Sequence, residues 1–255
     1  MQKFQVDGGR AFDFGKTAQD YGAYRDIYPQ ALYDRLYALG VGAPGSAWLD
    51  LGTGSGVLPR ALARYGAQIV AVDISPEQIE EAKKRSRAYP NITYQVCPAE
   101  EVAFPPGRFD VITACQCFWY FDPAIIVPKI RALLRPGGLF VKIYMGYSED
   151  DPIARRSSAL VKQLNPSWTS GAAAEQDLQV HYFPHPHEEH VSLALSFTRE
   201  TWHGRMRTCR GVAASMDAPT LAKFDEMHRQ MLSTCPEQFT IQHAVDLVYY
   251  YIPEK

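Results

Sequence analysis

Short apolar runs alternate with helix-like segments between residue 47 and about residue 146. Five of these runs are apolar at nearly every position, which is typical of strands that helices cover on both faces of a parallel sheet. They are AWLDL, QIVAVDI, ITYQVC, FDVITAC and GLFVKIYM, which begin at residues 47, 68, 92, 109 and 138. The pattern predicts an α/β fold with a doubly wound, mostly parallel sheet.

Two later segments place large apolar residues at alternating positions, on one side of each segment. They are HVSLALSFT at 190–198 and FTIQHAVDLVYYY at 239–251, and alternation of this kind indicates strands with one exposed face. We expect them to pair antiparallel at the sheet edge and to complete a seven-stranded, Rossmann-like sheet. Helical stretches near 199–212 and 219–233 separate them and predict a helical insertion over the substrate side.

Helix boundaries are suggested by capping residues. The sequence SPEQ at 75–78 predicts a capping box in which Ser75 is the N-cap and the Gln78 side chain reaches back to it. Another helix should follow Asp122 and continue to Gly137, with Pro128 either kinking it or delaying its start.

Length and charge favour a single enzyme-sized domain. The 255 residues carry 26 basic and 28 acidic side chains, a net charge of −2, so an extended nucleic-acid or membrane surface is disfavoured. Residues 1–40 are interpreted as a cap or lid, 41–147 as the cofactor-binding core, and 148–255 as substrate-side helices with the last two strands. The sequence leaves the oligomeric state open between monomer and homodimer.

The chain shows no targeting signal and no membrane span at the sequence level. The first sixteen residues lack an apolar core, and no run approaches eighteen apolar residues. The five cysteines form no CxxC pair, which suits a reducing compartment. We therefore expect a cytoplasmic protein whose partner is a small-molecule substrate.

The stretch LDLGTGSG at 49–56 leads directly from a predicted strand into a helix. Glycines at this point let backbone N–H groups and the helix N-terminus approach a ligand closely. On these residues alone, a dinucleotide site and an S-adenosylmethionine site both remain open. The dinucleotide fingerprint requires a third glycine where this chain has Val57, and the acid Asp73, which ends the next predicted strand, suits either ligand.

Further motifs separate the two interpretations. Asp50 followed by Gly52, Gly54 and Gly56 resembles motif I of class I S-adenosylmethionine-dependent methyltransferases. CPAEEVAFPPGRFDVI, ACQCFWYFD and RALLRPGGLFVKIY resemble the adenine-side turn, the loop after strand four and the approach to strand five of that family. The resemblance covers residues 12–146 and is strongest to the type 11 branch, which includes ubiquinone and menaquinone methyltransferases.

The resemblance implies S-adenosyl-L-methionine as cofactor and S-adenosyl-L-homocysteine as product. Asp73 is expected to accept hydrogen bonds from the ribose hydroxyls, and Ala99 with Glu100 to flank the adenine. The full set of expected cofactor residues is Asp50, Gly52, Thr53, Gly54, Gly56, Asp73, Ile74, Gln78, Ala99, Glu100, Gln116, Tyr24 and Arg25.

Aromatic residues around this site are candidates for the acceptor side. The segment DYGAYRDIYP at 20–29 is interpreted as a lid, with a surface helix packed on the sheet as the alternative. The expected substrate-side residues are Tyr21, Tyr28, Phe118, Trp119, Tyr120 and Trp202. His203 is the candidate base, should the acceptor need to lose a proton, and Tyr21 or Tyr28 could take that role instead.

Three hypotheses for function follow from these features. The first is methyl transfer to a small molecule by in-line displacement, the second a non-methylating protein that binds the same cofactor, and the third a nicotinamide-dependent oxidoreductase. Methylation of DNA bases is disfavoured because QCFWYFD stands where such enzymes carry an Asn/Asp-Pro-Pro-Tyr/Phe signature. The histidine-rich HYFPHPHEEH at 181–190 is interpreted as a solvated loop rather than a metal site.

Overall fold

The strands of this chain match the apolar runs of its sequence. The protein is described from a computed structural model that covers residues 6–253, so residues 1–5 and 254–255 of the predicted terminal segments lie outside the described residues. The strands are β1 (Ala47–Leu51), β2 (Gln68–Asp73), β3 (Ile92–Val96), β4 (Phe109–Cys115), β5 (Leu134–Tyr147), β6 (His187–Thr198) and β7 (Gln238–Tyr251).

These strands form one seven-stranded sheet in the order β3-β2-β1-β4-β5-β7-β6. The pairs from β3 to β5 are parallel, whereas β7 runs antiparallel to both β5 and β6. The predicted doubly wound sheet with an antiparallel edge pair is confirmed. Strand order reverses between β1 and β4, and in open α/β sheets the ligand crevice lies at the carboxyl ends of the strands beside such a reversal.

Helices cover both faces of the sheet. They are α1 (Ala18–Tyr24), α2 (Gln30–Ala38), α3 (Val57–Leu62), α4 (Pro76–Arg85), α5 (Pro123–Leu133), α6 (Pro152–Leu164), α7 (Ala172–Leu178), α8 (Arg199–Arg207) and α9 (Ala218–Ser233). The predicted helical insertion between the last two strands is present as α8 and α9. Phe140 and Val141 are adjacent and both fully buried, one in each of the clusters on the two faces.

Two predicted helix ends differ from the structure. Ser75 is the N-cap of α4, and its hydroxyl accepts from the Gln78 backbone N–H at 3.3 Å. The Gln78 side chain, however, donates to the Phe14 carbonyl at 3.0 Å instead of reaching back. Helix α5 contains Pro128 and ends at Leu133, before the expected Gly137. Pro136 disfavours helical backbone at the residue before it, and Leu134 already pairs with Phe109 in the sheet.

Candidate active site

The loop between β1 and α3 is held in left-handed backbone conformations. Gly52, Gly54 and Gly56 have φ values of 62°, 54° and 74°, which residues with a Cβ adopt only at a cost. A Cβ on Gly52 would lie 2.7 Å from the Cys117 sulfur, and one on Gly56 would lie 2.3 Å from the Tyr94 hydroxyl. The packing of this chain therefore requires the first and third glycines independently of any ligand.

Gly54 differs because the space above it is more open. A Cβ there would meet no atom closer than the Tyr21 ring, at 3.7 Å. Its backbone N–H donates to Oδ2 of Asp73 at 2.8 Å, and the Ser75 N–H donates to Oδ1 at 2.9 Å. Burial raises the pKa of Asp73 against the opposing effect of these backbone donors. The glycine loop and the end of β2 are thus joined into one rigid edge, and each carboxylate oxygen keeps a further lone pair for a ligand.

Several polar atoms at this edge have no hydrogen-bond partner within residues 6–253. They are Oγ1 of Thr53, Oγ of Ser55 and Oε1 of Gln78, and all three are buried. Buried polar atoms in native proteins are nearly always paired, so an unpaired group needs an explanation. Two of these atoms are in the glycine loop and one is in α4, beside the half-buried carboxylate of Asp73, and together they fit a polar ligand such as the adenosyl part of the expected cofactor.

Asp50 lies beneath the glycine loop rather than on its surface. Only 1% of its surface is exposed, and its Oδ1 accepts from Thr113 Oγ1 at 2.5 Å, which in turn accepts from the Trp48 indole at 2.7 Å. Burial raises the pKa of Asp50 to about 7. Its contacts support the loop from below, so any effect on a cofactor would act through the loop.

The expected adenine-side residues lie at the neighbouring strand ends. Ala99 and Glu100 form a 3₁₀ turn after β3, where Ala99 is buried and Oε1 of Glu100 accepts from the Asp122 N–H at 2.8 Å. Ile74 is 70% exposed, which is unusual for isoleucine directly after a buried strand. These positions flank the same edge that Asp73 occupies.

A cavity of about 340 Å³ lies next to this edge, under the N-terminal segment. Gln116, at the carboxyl end of β4, lines it with a left-handed φ of 61°, a strained conformation often found at functional sites. Aromatic rings supply much of the wall; they belong to Phe14, Tyr21, Trp119, Tyr120, Tyr144, Tyr147 and Trp168. Its charged residues are Arg25, Glu149, Lys162, Glu175, Arg205 and Arg210.

The cavity contains some of the expected residues and not others. Tyr21, Arg25, Gln116, Trp119 and Tyr120 line it. The indole nitrogen of Trp119 is buried without a partner within residues 6–253, so a polar group of a ligand could accept from it. These five residues therefore lie together in the crevice that strand order predicts.

Three other expected residues lie in the interior or between elements. Phe118 packs in the core against Phe140 and Tyr182, and Tyr28 accepts from the Cys115 thiol. Tyr24 packs against Gly204, where a Cβ would lie 2.4 Å from its ring. Their contacts are packing contacts, and none of these side chains lines the cavity.

Trp202 and His203 do not match their expected positions. Trp202 is fully buried and its indole donates to Ser157 at 3.0 Å. His203 is 5% exposed, its Nδ1 lies 2.9 Å from Nδ1 of His228, and Asp225 lies 3.3 Å from its other ring nitrogen. Both side chains point into the core between α8 and α9, because this helix buries more than one face. We therefore correct the expectation that they cover the acceptor.

The sequence did not single out four residues that line the cavity. Tyr144 and Tyr147 come from the end of β5, Trp168 from the loop after α6, and Arg205 from α8. Tyr144 lies in the predicted strand GLFVKIYM and Tyr147 lies just after it. The position of both at the carboxyl end of a strand is the sequence signal that places them near the crevice. Arg205 and Trp168 could not be found this way, since nothing in their local pattern indicates which surface they face.

The N-terminal segment closes the cavity and is tied down on two sides. Asp7 is 2% exposed and pairs with Arg210, with Nε of Arg210 at 2.6 Å from Oδ2. It also accepts from the backbone N–H and hydroxyl of Thr169. On the other side, the Phe14 carbonyl accepts from Gln78. The segment therefore bridges the substrate-side helices and the glycine-loop edge.

The histidines at 181–190 are spread over a loop and the start of β6. His181 contacts Glu188 at 2.5 Å, His190 contacts Asp246 at 2.7 Å, and His187 stacks on Tyr249. Across residues 6–253, no group of three or more His, Cys, Asp or Glu side chains is arranged to hold a metal ion. Over the same part of the chain, no helix has both the length and the apolar character needed to cross a membrane.

Up to half of this chain is similar in sequence to known methyltransferases. Residues 49–142 match the methyltransferase domain family. Over 101 residues the chain is 38% identical to a ubiquinone biosynthesis O-methyltransferase of Xanthomonas campestris, covering 38% of this chain and 42% of that protein. It is 31% identical over 128 residues to an uncharacterized methyltransferase of Mycobacterium tuberculosis, covering half of each chain. The alignments thus span half or less of these curated relatives.

Solved structures extend the likeness over most of the chain. A protein from Anaeromyxobacter dehalogenans, provisionally assigned as a type II methyltransferase, is 26% identical with a TM-score of 0.59, covering 90% of this chain and 98% of its own. The YcgJ protein from Bacillus subtilis is 18% identical with a TM-score of 0.54, covering 89% of this chain and 100% of its own. The second likeness shows the fold alone.

Proposed function

We propose that this chain transfers the methyl group of S-adenosylmethionine to a small-molecule acceptor, a function supported by the match of residues 49–142 to the methyltransferase domain family and by the similar proteins named above. The observation that carries the proposal is the rigid edge of Gly54 and Asp73, with unpaired buried polar atoms, directly beside a separate aromatic cavity. The edge of Gly54 and Asp73 suits an adenosyl group, and the neighbouring cavity suits a methyl acceptor.

The residues that would hold the cofactor follow from their chemistry. Asp73 would accept from the ribose hydroxyls, and each such charge-assisted bond is worth about 1.5 to 3 kcal/mol. Thr53, Ser55 and Gln78 have the free polar atoms to contact the rest of the polar surface. Ala99 with Ile74 would flank the adenine, since both present apolar surface at this edge. These assignments remain part of the proposal.

The reaction needs positioning more than acid or base chemistry. The bound cofactor supplies a methyl group on a sulfonium, which an acceptor atom displaces in line. Tyr21, Phe14 and Tyr120 form a cover over the crevice that would exclude water and present aromatic faces to a cation. Burial raises the pKa of Tyr144 to about 12, so this hydroxyl would orient an acceptor as a donor.

The size of the cavity indicates the scale of the acceptor. Small-molecule sites enclose about 300 to 1,000 Å³, and this cavity of about 340 Å³ lies at the lower end. A base inside a nucleic-acid duplex would not reach it beneath the N-terminal segment. We place the reaction in the cytoplasm, a proposal that the five free thiols support.

The test is methyl transfer from isotopically labelled S-adenosylmethionine into a fractionated pool of small metabolites. We expect acceptor-dependent formation of S-adenosylhomocysteine and a labelled small product. Trp119→Phe should reduce turnover at least several-fold while leaving cofactor affinity unchanged, because it removes an indole donor on the acceptor side. The exposed Glu101→Ala serves as the matched control. Cofactor binding without transfer to any fraction would contradict the proposal and favour the non-methylating alternative.

A further inference from the structure

One arginine in the cavity wall lacks the partner that a buried cation needs. Arg205 in α8 is 4% exposed and lines the cavity. Its Nε has no hydrogen-bond partner within residues 6–253, and in the same range no carboxylate lies within 4.0 Å of its guanidinium. Its contacts are the Cys209 sulfur at 3.2 Å and the face of the Tyr147 ring at 5.4 Å.

A second arginine faces the same space from the N-terminal segment. Nε of Arg25 donates to the Thr208 hydroxyl at 2.9 Å, and its guanidinium lies over the Tyr21 ring at 5.1 Å. It too makes no ion pair with a carboxylate in the described part of the chain. The charges of Arg25 and Arg205 both act on Tyr21 and Tyr144, so the two guanidinium groups lie around one volume.

Neighbouring arginines show that this region pairs its cations elsewhere. Arg210 pairs with the buried Asp7, and Arg207 pairs with Asp20 and Asp225. Arg205, Arg207 and Arg210 all belong to α8 and the turn that follows it, so the contrast arises within one short stretch of chain. Of the three arginines that line the cavity, Arg210 has a carboxylate partner, whereas Arg205 and Arg25 have none within residues 6–253.

The other charges of the cavity lie at its exposed rim. Glu149, Lys162 and Glu175 are all exposed, so water screens them strongly. The inner wall has the buried Arg205, the half-buried Arg25 and Arg210, whose charge Asp7 already neutralises. The inner end of the cavity therefore has an excess of positive charge that no carboxylate of residues 6–253 pairs with.

We propose that the acceptor has an oxyanion group, a carboxylate or a phosphate, which Arg205 binds together with Arg25. A buried guanidinium without a counter-charge is costly, and a planar oxyanion would offset that cost with paired N–H···O bonds. Aromatic walls then hold the rest of the molecule. The inference rests on the proposed function, since it assigns this cavity to the acceptor.

The experiment uses three matched probes on the full chain saturated with S-adenosylhomocysteine. Phenylacetate tests a carboxylate, phenyl phosphate tests a phosphate, and phenylacetamide is the neutral control. Calorimetry or ligand-observed NMR should show at least tenfold tighter binding of one anion than of the amide. The anion that binds more tightly identifies the group, and binding of S-adenosylhomocysteine is measured separately as the test of the proposed function.

Variants assign the binding to the two arginines. Arg205→Gln and Arg25→Gln should each weaken the anion at least tenfold, and Arg205→Lys should weaken it less, because it keeps the charge but loses the planar pair of donors. Lys162→Gln, at the rim, should change binding less than twofold. Arg205→Gln, Arg205→Lys and Lys162→Gln should leave the affinity for S-adenosylhomocysteine unchanged.

Thermal stability separates binding from a structural role. If Arg205 serves the ligand, Arg205→Gln should leave the Tm of the probe-free protein unchanged or raise it. Equal binding of the anions and the amide, with S-adenosylhomocysteine still bound, would overturn the oxyanion proposal alone. A lowered Tm with unchanged anion binding would overturn it as well, and should Arg205→Gln fail to fold, Arg25→Gln and Arg205→Lys give the same answer.

Discussion

At the scale of single residues, the glycine loop serves two purposes that its sequence does not distinguish. Gly52 and Gly56 make room for Cys117 and Tyr94 of the same chain, whereas Gly54 leaves open space and donates its N–H to Asp73. The acid at the end of β2 is thus both a structural acceptor and the group most exposed to a ligand. Removal of the Asp73 carboxylate should therefore weaken ligand binding more than it lowers the stability of the fold.

We expect Asp73→Ala to weaken S-adenosylhomocysteine by about ten- to a few hundredfold. The reason is the loss of one or more charge-assisted hydrogen bonds of about 1.5 to 3 kcal/mol, at about 1.4 kcal/mol for each factor of ten. Titration calorimetry checks it, with Glu101→Ala as the control and the Tm measured on both. Unchanged affinity for Asp73→Ala would place the ribose elsewhere.

At the scale of elements, the insertion of α8 and α9 shows where a sequence pattern stops being informative. The apolar runs predicted all seven strands, because a strand buried on one face has apolar residues at alternate positions and a strand buried on both faces has a continuous apolar run. Helix α8 is only nine residues long, and Trp202 to Met206 are all buried. Because several faces of this helix are covered, the periodicity of its sequence does not show which side meets the ligand, and it does not distinguish Arg205, which lines the cavity, from His203, which does not.

The same insertion buries neutral histidines. Nε2 of His228 lies 3.0 Å from the Ser157 hydroxyl and its Nδ1 faces His203. Burial lowers the pKa of both, and for His203 the charges of Arg229 and Arg207 lower it further while Asp225 opposes them. Burial also lowers the pKa of His243, at β7, to about 4. All three are neutral in the native state at pH 7.

This arrangement predicts that the protein loses stability in acid. Below about pH 6.5, histidines in the unfolded chain take up protons that the native state does not. The free energy of unfolding should therefore fall as the pH decreases from about 6.5 towards 4, by up to about 1.4 kcal/mol per pH unit for each buried histidine. His228→Asn should reduce this slope and the exposed His185→Asn should not. Equal slopes in denaturant titrations of wild type and His228→Asn would contradict the assignment.

The N-terminal cover is a second element with a testable property. Helix α1 contacts both α4 and α8 through small residues, with Gly22 against Arg85 and Gly204 against Tyr24. A ligand at the Gly54 edge would add contacts beneath this segment. We expect S-adenosylhomocysteine to slow hydrogen exchange over residues 12–30 while α9 stays unchanged. If hydrogen exchange over residues 12–30 is already slow without the ligand and does not change with it, the tyrosines at 20–29 only pack on the protein and do not form a lid.

At the scale of the whole molecule, the fold brings the glycine-loop edge and the aromatic cavity to one crevice. The reversal of strand order between β1 and β4 opens the sheet at its carboxyl edge, where Asp73 and Gly54 stand next to the aromatic cavity. This much followed from the order of strands, the glycines and the acid. The inner wall of the cavity did not, because it is assembled from β5, the loop after α6 and α8, which are far apart in sequence.

The central claim is that this crevice takes an adenosyl sulfur cofactor rather than a nicotinamide dinucleotide. Titration calorimetry of the wild-type chain with S-adenosylhomocysteine and, separately, with NAD tests it most directly. We predict saturable binding of S-adenosylhomocysteine and no binding of NAD. At a concentration a hundred times its dissociation constant, S-adenosylhomocysteine should increase the free energy of unfolding by about 2.7 kcal/mol and so raise the Tm. Binding of NAD with equal or greater affinity, or no binding of S-adenosylhomocysteine, would contradict the account.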